Sequence, residues 1–123
     1  MPHQIAIKRL SRPGGHRRAL LRSLATSFFL HEKIETTSTK AKAIARVVAR
    51  LITQARRGDL HSRRLVASYL LDERVAKKLC DHIAPAFKER NGGFTRITKT
   101  RVRPGDAAEL SVIELVRDAD RAA

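Results

Sequence analysis

Tryptophan is absent, cysteine occurs once, and only five of the 123 residues are aromatic: Phe28, Phe29, Tyr69, Phe87 and Phe94. A lone Cys80 excludes an internal disulfide framework and fits a reducing compartment. Few aromatics argue against a reader of extended single strands, which needs exposed rings for stacking. No long hydrophobic run is present. The longest stretch free of formal charge is Ser23 to His31, far short of the ~20 residues of a membrane helix. No compact apolar run stands between a basic start and a small-residue cleavage site, so no secretory signal is expected. Acids are scarce, 12 against 26 lysines and arginines, and the formal charge is +14. Such a surplus points to a polyanionic partner and leaves the fold open.

Apolar residues make up 42% of the chain, enough for one modest core and one domain. Residues 1–31 carry six cations and no acid, and the tail from residue 104 carries five acids and two cations. Pro13-Gly14-Gly15 reads as a turn that interrupts any presequence-like helix. The expected organisation is therefore an extended basic arm over 1–15, a single domain over 16–117 and a short tail over 118–123.

Periodicity predicts four helices and three strands. Leu20, Leu21, Leu24, Ala25 and Phe28 make one stripe on a helix from His16 to about Leu30. Lys33 to Thr37 is short and β-branched, a strand. Ala41, Ile44, Ala45, Val48, Leu51, Ile52 and Ala55 follow steps of three and four over about 39–57, with Lys42, Arg46 and Arg50 in a row elsewhere on the helix. Gly58 suits a left-handed stop, and Asp59 caps a third helix with Leu65, Val66, Tyr69 and Leu70 inward. Asp72 caps a fourth, with Val75, Ala76, Leu79, Cys80 and Ile83 inward until Pro85. Phe94–Val102 and Glu109–Val116 read as strands joined by a type II turn at Pro104-Gly105. The expected fold is a two-layer α+β domain in the order helix, strand, three helices, two strands, with a small three-stranded mixed sheet and a basic N-terminal arm.

Enzyme and metal motifs are near misses. His31-Glu32-Lys33-Ile34-Glu35 begins like a zinc-protease motif but lacks the second histidine and enters a strand. Cys80 and His82 lie two apart on a helix and point in different directions, so Cys80 reads as core. Gly14-Gly15 and Gly92-Gly93 lack the lysine and hydroxyl residue of a phosphate loop. No catalytic residue, metal, cofactor, small-molecule substrate or membrane is expected. Arginine outnumbers lysine 18 to 8, and its planar fork suits phosphate oxygens. The chemistry favours backbone and shape recognition of a folded nucleic acid.

A series of ordered blocks carries a family resemblance. Arg9-Leu10, His16-Arg17, Arg22-Ser23-Leu24-Ala25, Lys33-Ile34-Glu35-Thr36-Thr37 and Lys40-Ala41-Lys42 open it. Gly58-Asp59-Leu60-His61, Arg63-Arg64, Ile83-Ala84-Pro85, Asn91-Gly92-Gly93-Phe94-Thr95-Arg96-Ile97, Gly105-Asp106 and Ile113-Glu114-Leu115-Val116 complete it. In these the chain resembles the L-seventeen family of bacterial large-subunit ribosomal proteins over residues 8–116. Pro2, Gln4, Ile5, Ile7, Ser11, Pro13-Gly14-Gly15 and Thr39 depart from the usual pattern. The resemblance implies a cytoplasmic, non-enzymatic ribosomal constituent, with a mitochondrial or plastid ribosome as the alternative setting. It also implies binding to large-subunit ribosomal RNA near the nascent-chain exit tunnel, beside other ribosomal proteins.

Three cationic clusters are the expected contacts. Lys8, Arg9, Arg12, His16, Arg17, Arg18 and Arg22 form the first. Arg56, Arg57, His61, Arg63 and Arg64 surround the Gly58 turn. Lys88, Arg90, Arg96, Lys99, Arg101 and Arg103 surround the hairpin. They would act by neutralising phosphates and releasing counterions. On charge alone, a DNA-compacting protein is the alternative.

Overall fold

The computed structural model describes Leu10 and residues 12–116; the remainder of the expected arm and the C-terminal tail lie outside the described residues. Helix α1 (Gly14–His31) leads into strand β1 (Lys33–Thr37), then α2 (Ser38–Arg56) and α3 (Leu60–Tyr69). Helix α4 (Glu73–Lys78) runs on through a π turn, Leu79–Ile83, and a closing turn, Ala84–Ala86. Strands β2 (Thr95–Val102) and β3 (Glu109–Leu115) end the domain. The α+β class and element order are as expected.

The central helix is α2, which packs against α1, α3, the end of the fourth helix and all three strands. Its apolar residues recur at helical spacing, so Ile44, Val48 and Ile52 are fully buried. Each such side chain contributes about 1.5–3 kcal/mol. Phe28 and Phe29 of α1 meet edge to face at 5.4 Å on one side of this core. Phe87 and Phe94 do the same on another, also at 5.4 Å. Gly58 takes the left-handed conformation after α2 (φ 73°), where a side chain would be strained. The Asp59 carboxylate accepts the Ser62 N–H at 3.1 Å, and the Asp72 carboxylate accepts that of Arg74 at 2.9 Å. Both caps stand where the sequence placed them.

The sheet has the order β1-β3-β2 and is antiparallel throughout, which corrects the expectation of a mixed sheet. A short loop joins β2 to β3, so those two must oppose each other. At the far side Glu32 closes α1 in the left-handed region (φ 63°). It sends β1 out beside the end of β3, where the Leu115 N–H donates to the Glu32 carbonyl at 3.2 Å. The most apolar strand, β3, takes the centre.

Four further expectations change. Gly14 and Gly15 belong to the first turn of α1, with Arg17 N–H bonded to the Pro13 carbonyl at 2.8 Å. Leu65 is more than a third exposed, because Ser62, Val66 and Leu70 set the inward line of the third helix and Leu65 lies one step round. Cys80 is half-buried rather than fully buried. Pro85 lacks an N–H and crowds the carbonyl four residues back. The ladder widens to a π turn just before it, with Ala84 N–H reaching Leu79, and the turn offsets Cys80 from the core line. Burial still raises its thiol pKa, opposed by Arg63. The hairpin turn is also different: neither Gly105 nor Pro104 but Ala107 is left-handed (φ 57°). Ala107 N–H bonds back to the Arg103 carbonyl at 2.9 Å, and the Asp106 carboxylate holds the Ala108 N–H at 3.2 Å.

Candidate nucleic-acid interface

The basic residues divide into two kinds once their partners are traced. On the sheet, the hairpin cations face the chain's own acids. Both Nε and Nη2 of Arg96 donate to one Glu114 oxygen, at 3.0 and 2.6 Å. Lys99 meets Glu109 at 3.1 Å, Arg101 meets Glu35 at 3.0 Å, and Arg103 forks onto both Asp106 oxygens at 2.9 and 2.7 Å. These contacts pull down Glu35, Glu109 and Asp106. Thr100 and then Arg101 lower Glu35, Lys99 lowers Glu109, and the Arg103 fork holds Asp106 at about 2. Register explains part of the arrangement: Arg96 stands directly opposite Glu114 on β3, whereas Arg101, past an irregularity in the ladder after Lys99, reaches across β3 to Glu35 on β1. Charges there also blunt an edge strand against pairing with other chains.

On the helical side the balance differs. Lys8 and Arg9 lie outside the described residues. Arg12 donates to the Leu10 carbonyl at 2.6 Å. His16, Arg17 and Arg18 stand in the opening turns of α1, which has no acid in its first turn and no side-chain cap. Among the described residues none of these three has an ion-pair partner. One turn further along, Arg22 donates to the carbonyls of Tyr69 at 2.7 Å and Ser68 at 3.0 Å. It thereby satisfies the C-terminal end of α3.

Around Gly58 the same division recurs. Arg57, His61 and Arg64 are exposed and, among the described residues, carry no ion pair. Arg63 pairs with Asp81 at 2.9 Å, which raises the arginine and lowers the aspartate. Arg56 donates to the Lys88 carbonyl at 3.2 Å and lies 5.9 Å from the centre of the Phe94 ring. That contact joins the second cluster to Lys88 and Arg90 of the third, so one edge of the domain presents both. Arg90 bonds the Gly92 carbonyl at 3.2 Å, and its Nη1 is buried with no hydrogen-bond partner among the described residues.

Arg50 was outside the expected set. It is exposed on α2 and faces Arg18 and Arg22 across a groove closed by Tyr69. The i, i+4 row Lys42, Arg46, Arg50 was its signal in the sequence. Only the packing of α1 and α3 shows where that row lies.

An α+β body with cations free of internal partners on its helical side has the build of a structural, polyanion-binding protein. Among the described residues, no group of three or more His, Cys, Asp or Glu could hold a metal ion. Comparison with known proteins gives the family. The family model of ribosomal protein L17 matches residues 20–116. The chain is 52% identical over 112 residues to the large ribosomal subunit protein bL17 of Caldanaerobacter subterraneus, covering 91% of this chain and all of that protein. It is 51% identical over 118 residues to the bL17 proteins of Geobacter sulfurreducens and Campylobacter concisus, covering 96% of this chain and 67% and 100% of theirs. The chain belongs to the ribosomal protein L17 family, whose members are structural ribosomal proteins and not enzymes.

Proposed function

We propose that this chain is a structural constituent of the large ribosomal subunit, placed in the cytoplasm within the ribosome and bound to ribosomal RNA through phosphates and shape. Membership of the family supports this assignment. The observation that carries the mode of binding is the unequal pairing of cations. Arg17, Arg18, Arg57 and Arg64 have no acid to satisfy them among the described residues, so RNA phosphates are their natural counterions. Lys8, Arg9, Arg12 and His16 extend this set at the N-terminal side, and His61, Lys88 and Arg90 extend it around Gly58. Arg22, Arg56 and Arg63 position the helices that carry these groups. Arg96, Lys99, Arg101 and Arg103 meet RNA as ion pairs, giving shape and register more than net charge. Neighbouring ribosomal proteins and the nascent-chain exit tunnel complete the proposed setting.

The test compares affinity for folded large-subunit ribosomal RNA with affinity for duplex DNA of equal length at one salt concentration. Tighter binding to the RNA is expected. Equal affinity would favour a DNA-compacting protein. A cryo-EM map of the assembled particle checks the location, and density far from the tunnel mouth would overturn that part.

A further inference from the structure

We infer that the groove between α1, α2 and α3 receives one unpaired nucleotide of the bound RNA. This rests on the RNA-binding reading above and joins Arg18 and Arg22 of the first cluster to Arg50, which no expected cluster contained. The groove has a volume of about 410 Å³, inside the roughly 300–1,000 Å³ typical of small-ligand sites. Arg18, Arg22 and Arg50 line it, and among the described residues no acid does. Arg22 is spent on the α3 carbonyls and holds its guanidinium 5.8 Å from the centre of the Tyr69 ring. That leaves Arg18 and Arg50 at the rim to meet phosphate oxygens.

The floor decides between kinds of RNA. Val47, Leu51 and Leu65 supply the apolar part of the lining, and Leu65 is 38% exposed. A duplex offers phosphates and sugars and keeps the apolar faces of its bases stacked away from such a lining. An unpaired base presents an apolar face and a polar edge. Its face fits Val47, Leu65 and the half-buried Tyr69, and its edge meets the Gln54 amide, which offers both donor and acceptor.

Tyr69 is the only tyrosine in the chain, so fluorotyrosine incorporation places a single fluorine signal in the groove. The full-length labelled protein is titrated with a short single-stranded RNA, with a duplex RNA of the same length, and with polyglutamate. The single strand is expected to move the signal, and the other two to leave it in place. Arg50→Gln, on an exposed α2 position, is expected to weaken the single-strand titration about tenfold, as for loss of a charge-assisted hydrogen bond. Gln54→Ala should reduce it with the arginines intact. An unmoved signal from a protein that still retards large-subunit ribosomal RNA in a gel would overturn the groove and leave the RNA-binding reading standing. Equal movement by duplex or polyglutamate would make the groove a general anion site and overturn the nucleotide. Failure of the wild-type chain to bind ribosomal RNA at all would remove the broader reading with it.

Discussion

Arg18 and Arg22 lie four residues apart on one helix, yet only the first is free of internal partners among the described residues. Arg22 closes the end of α3, whereas Arg18 faces the groove. Arg22→Gln should therefore lower stability by about 1–2 kcal/mol, since it strands the part-buried Tyr69 carbonyl, while water can take up the exposed one of Ser68. Arg18→Gln should leave the midpoint of urea unfolding nearly unchanged. Asp106 supplies a prediction in pH. The Arg103 fork, and after it the Ala108 N–H, hold its pKa at about 2. A carboxyl depressed in the folded state stabilises that state above its ordinary pKa, and the contribution disappears as pH falls to the folded value. Order in the 103–108 loop should therefore weaken between about pH 4 and pH 2. Carboxyl and amide NMR titrations would follow it directly. In Asp106→Asn the loop should show its weakened state already at pH 7 and change little on acidification; a loop response identical to wild type would contradict the assignment.

At the scale of elements, the hairpin loop holds removable strain. Ala107 is left-handed without the excuse of being glycine, which costs roughly 1–2 kcal/mol. Ala107→Gly relieves that strain and gives back part of the gain in unfolded-chain entropy, so a net stabilisation of about 0.5–1 kcal/mol is expected. Ala108→Gly, at a position without positive φ, should destabilise instead. Urea midpoints of the two variants decide the matter, and an equal loss in both would show that Ala107 is unstrained. This loop also marks where the sequence was illegible. Pro104-Gly105 is a strong local signal for a type II turn, but the Arg103–Asp106 fork and the Asp106 bond to Ala108 shift the left-handed residue two places on. The body of α2 was legible because its burial is repeated at every turn and no single contact decides it. Caps at Asp59 and Asp72 were legible because each acts on residues two or three away. The direction of β1 was not, since it depends on how distant elements meet, and the π turn was not, since Pro85 signals a broken ladder without saying whether the helix ends or widens.

For the whole molecule, net charge overstates what is offered to a partner on one side and describes it well on the other. Which cations are free was hidden in the sequence because the acids that neutralise the hairpin, Glu35 above all, are up to 66 residues away. The consequence can be measured as salt dependence. Each phosphate neutralised contributes about 0.7–0.9 to the slope of log affinity against log salt. If Arg17, Arg18, Arg57 and Arg64 each engage a phosphate, their joint replacement by glutamine should flatten the slope for ribosomal RNA by about three units. The hairpin is tested by removing whole pairs, Lys99 with Glu109 and Arg101 with Glu35, all to glutamine. This keeps the net charge and avoids leaving an acid exposed to RNA. The slope should then stay within about half a unit of wild type, because little counterion release is expected where a cation already has a carboxylate. Surface pairs of this kind contribute at most about 1 kcal/mol each, so the four-residue variant should remain folded, as circular dichroism would verify. A hairpin variant that flattens the slope as strongly as the helical one would mean that RNA displaces the internal acids. The sheet would then be a principal anchor, and the division between free and paired cations would not govern binding.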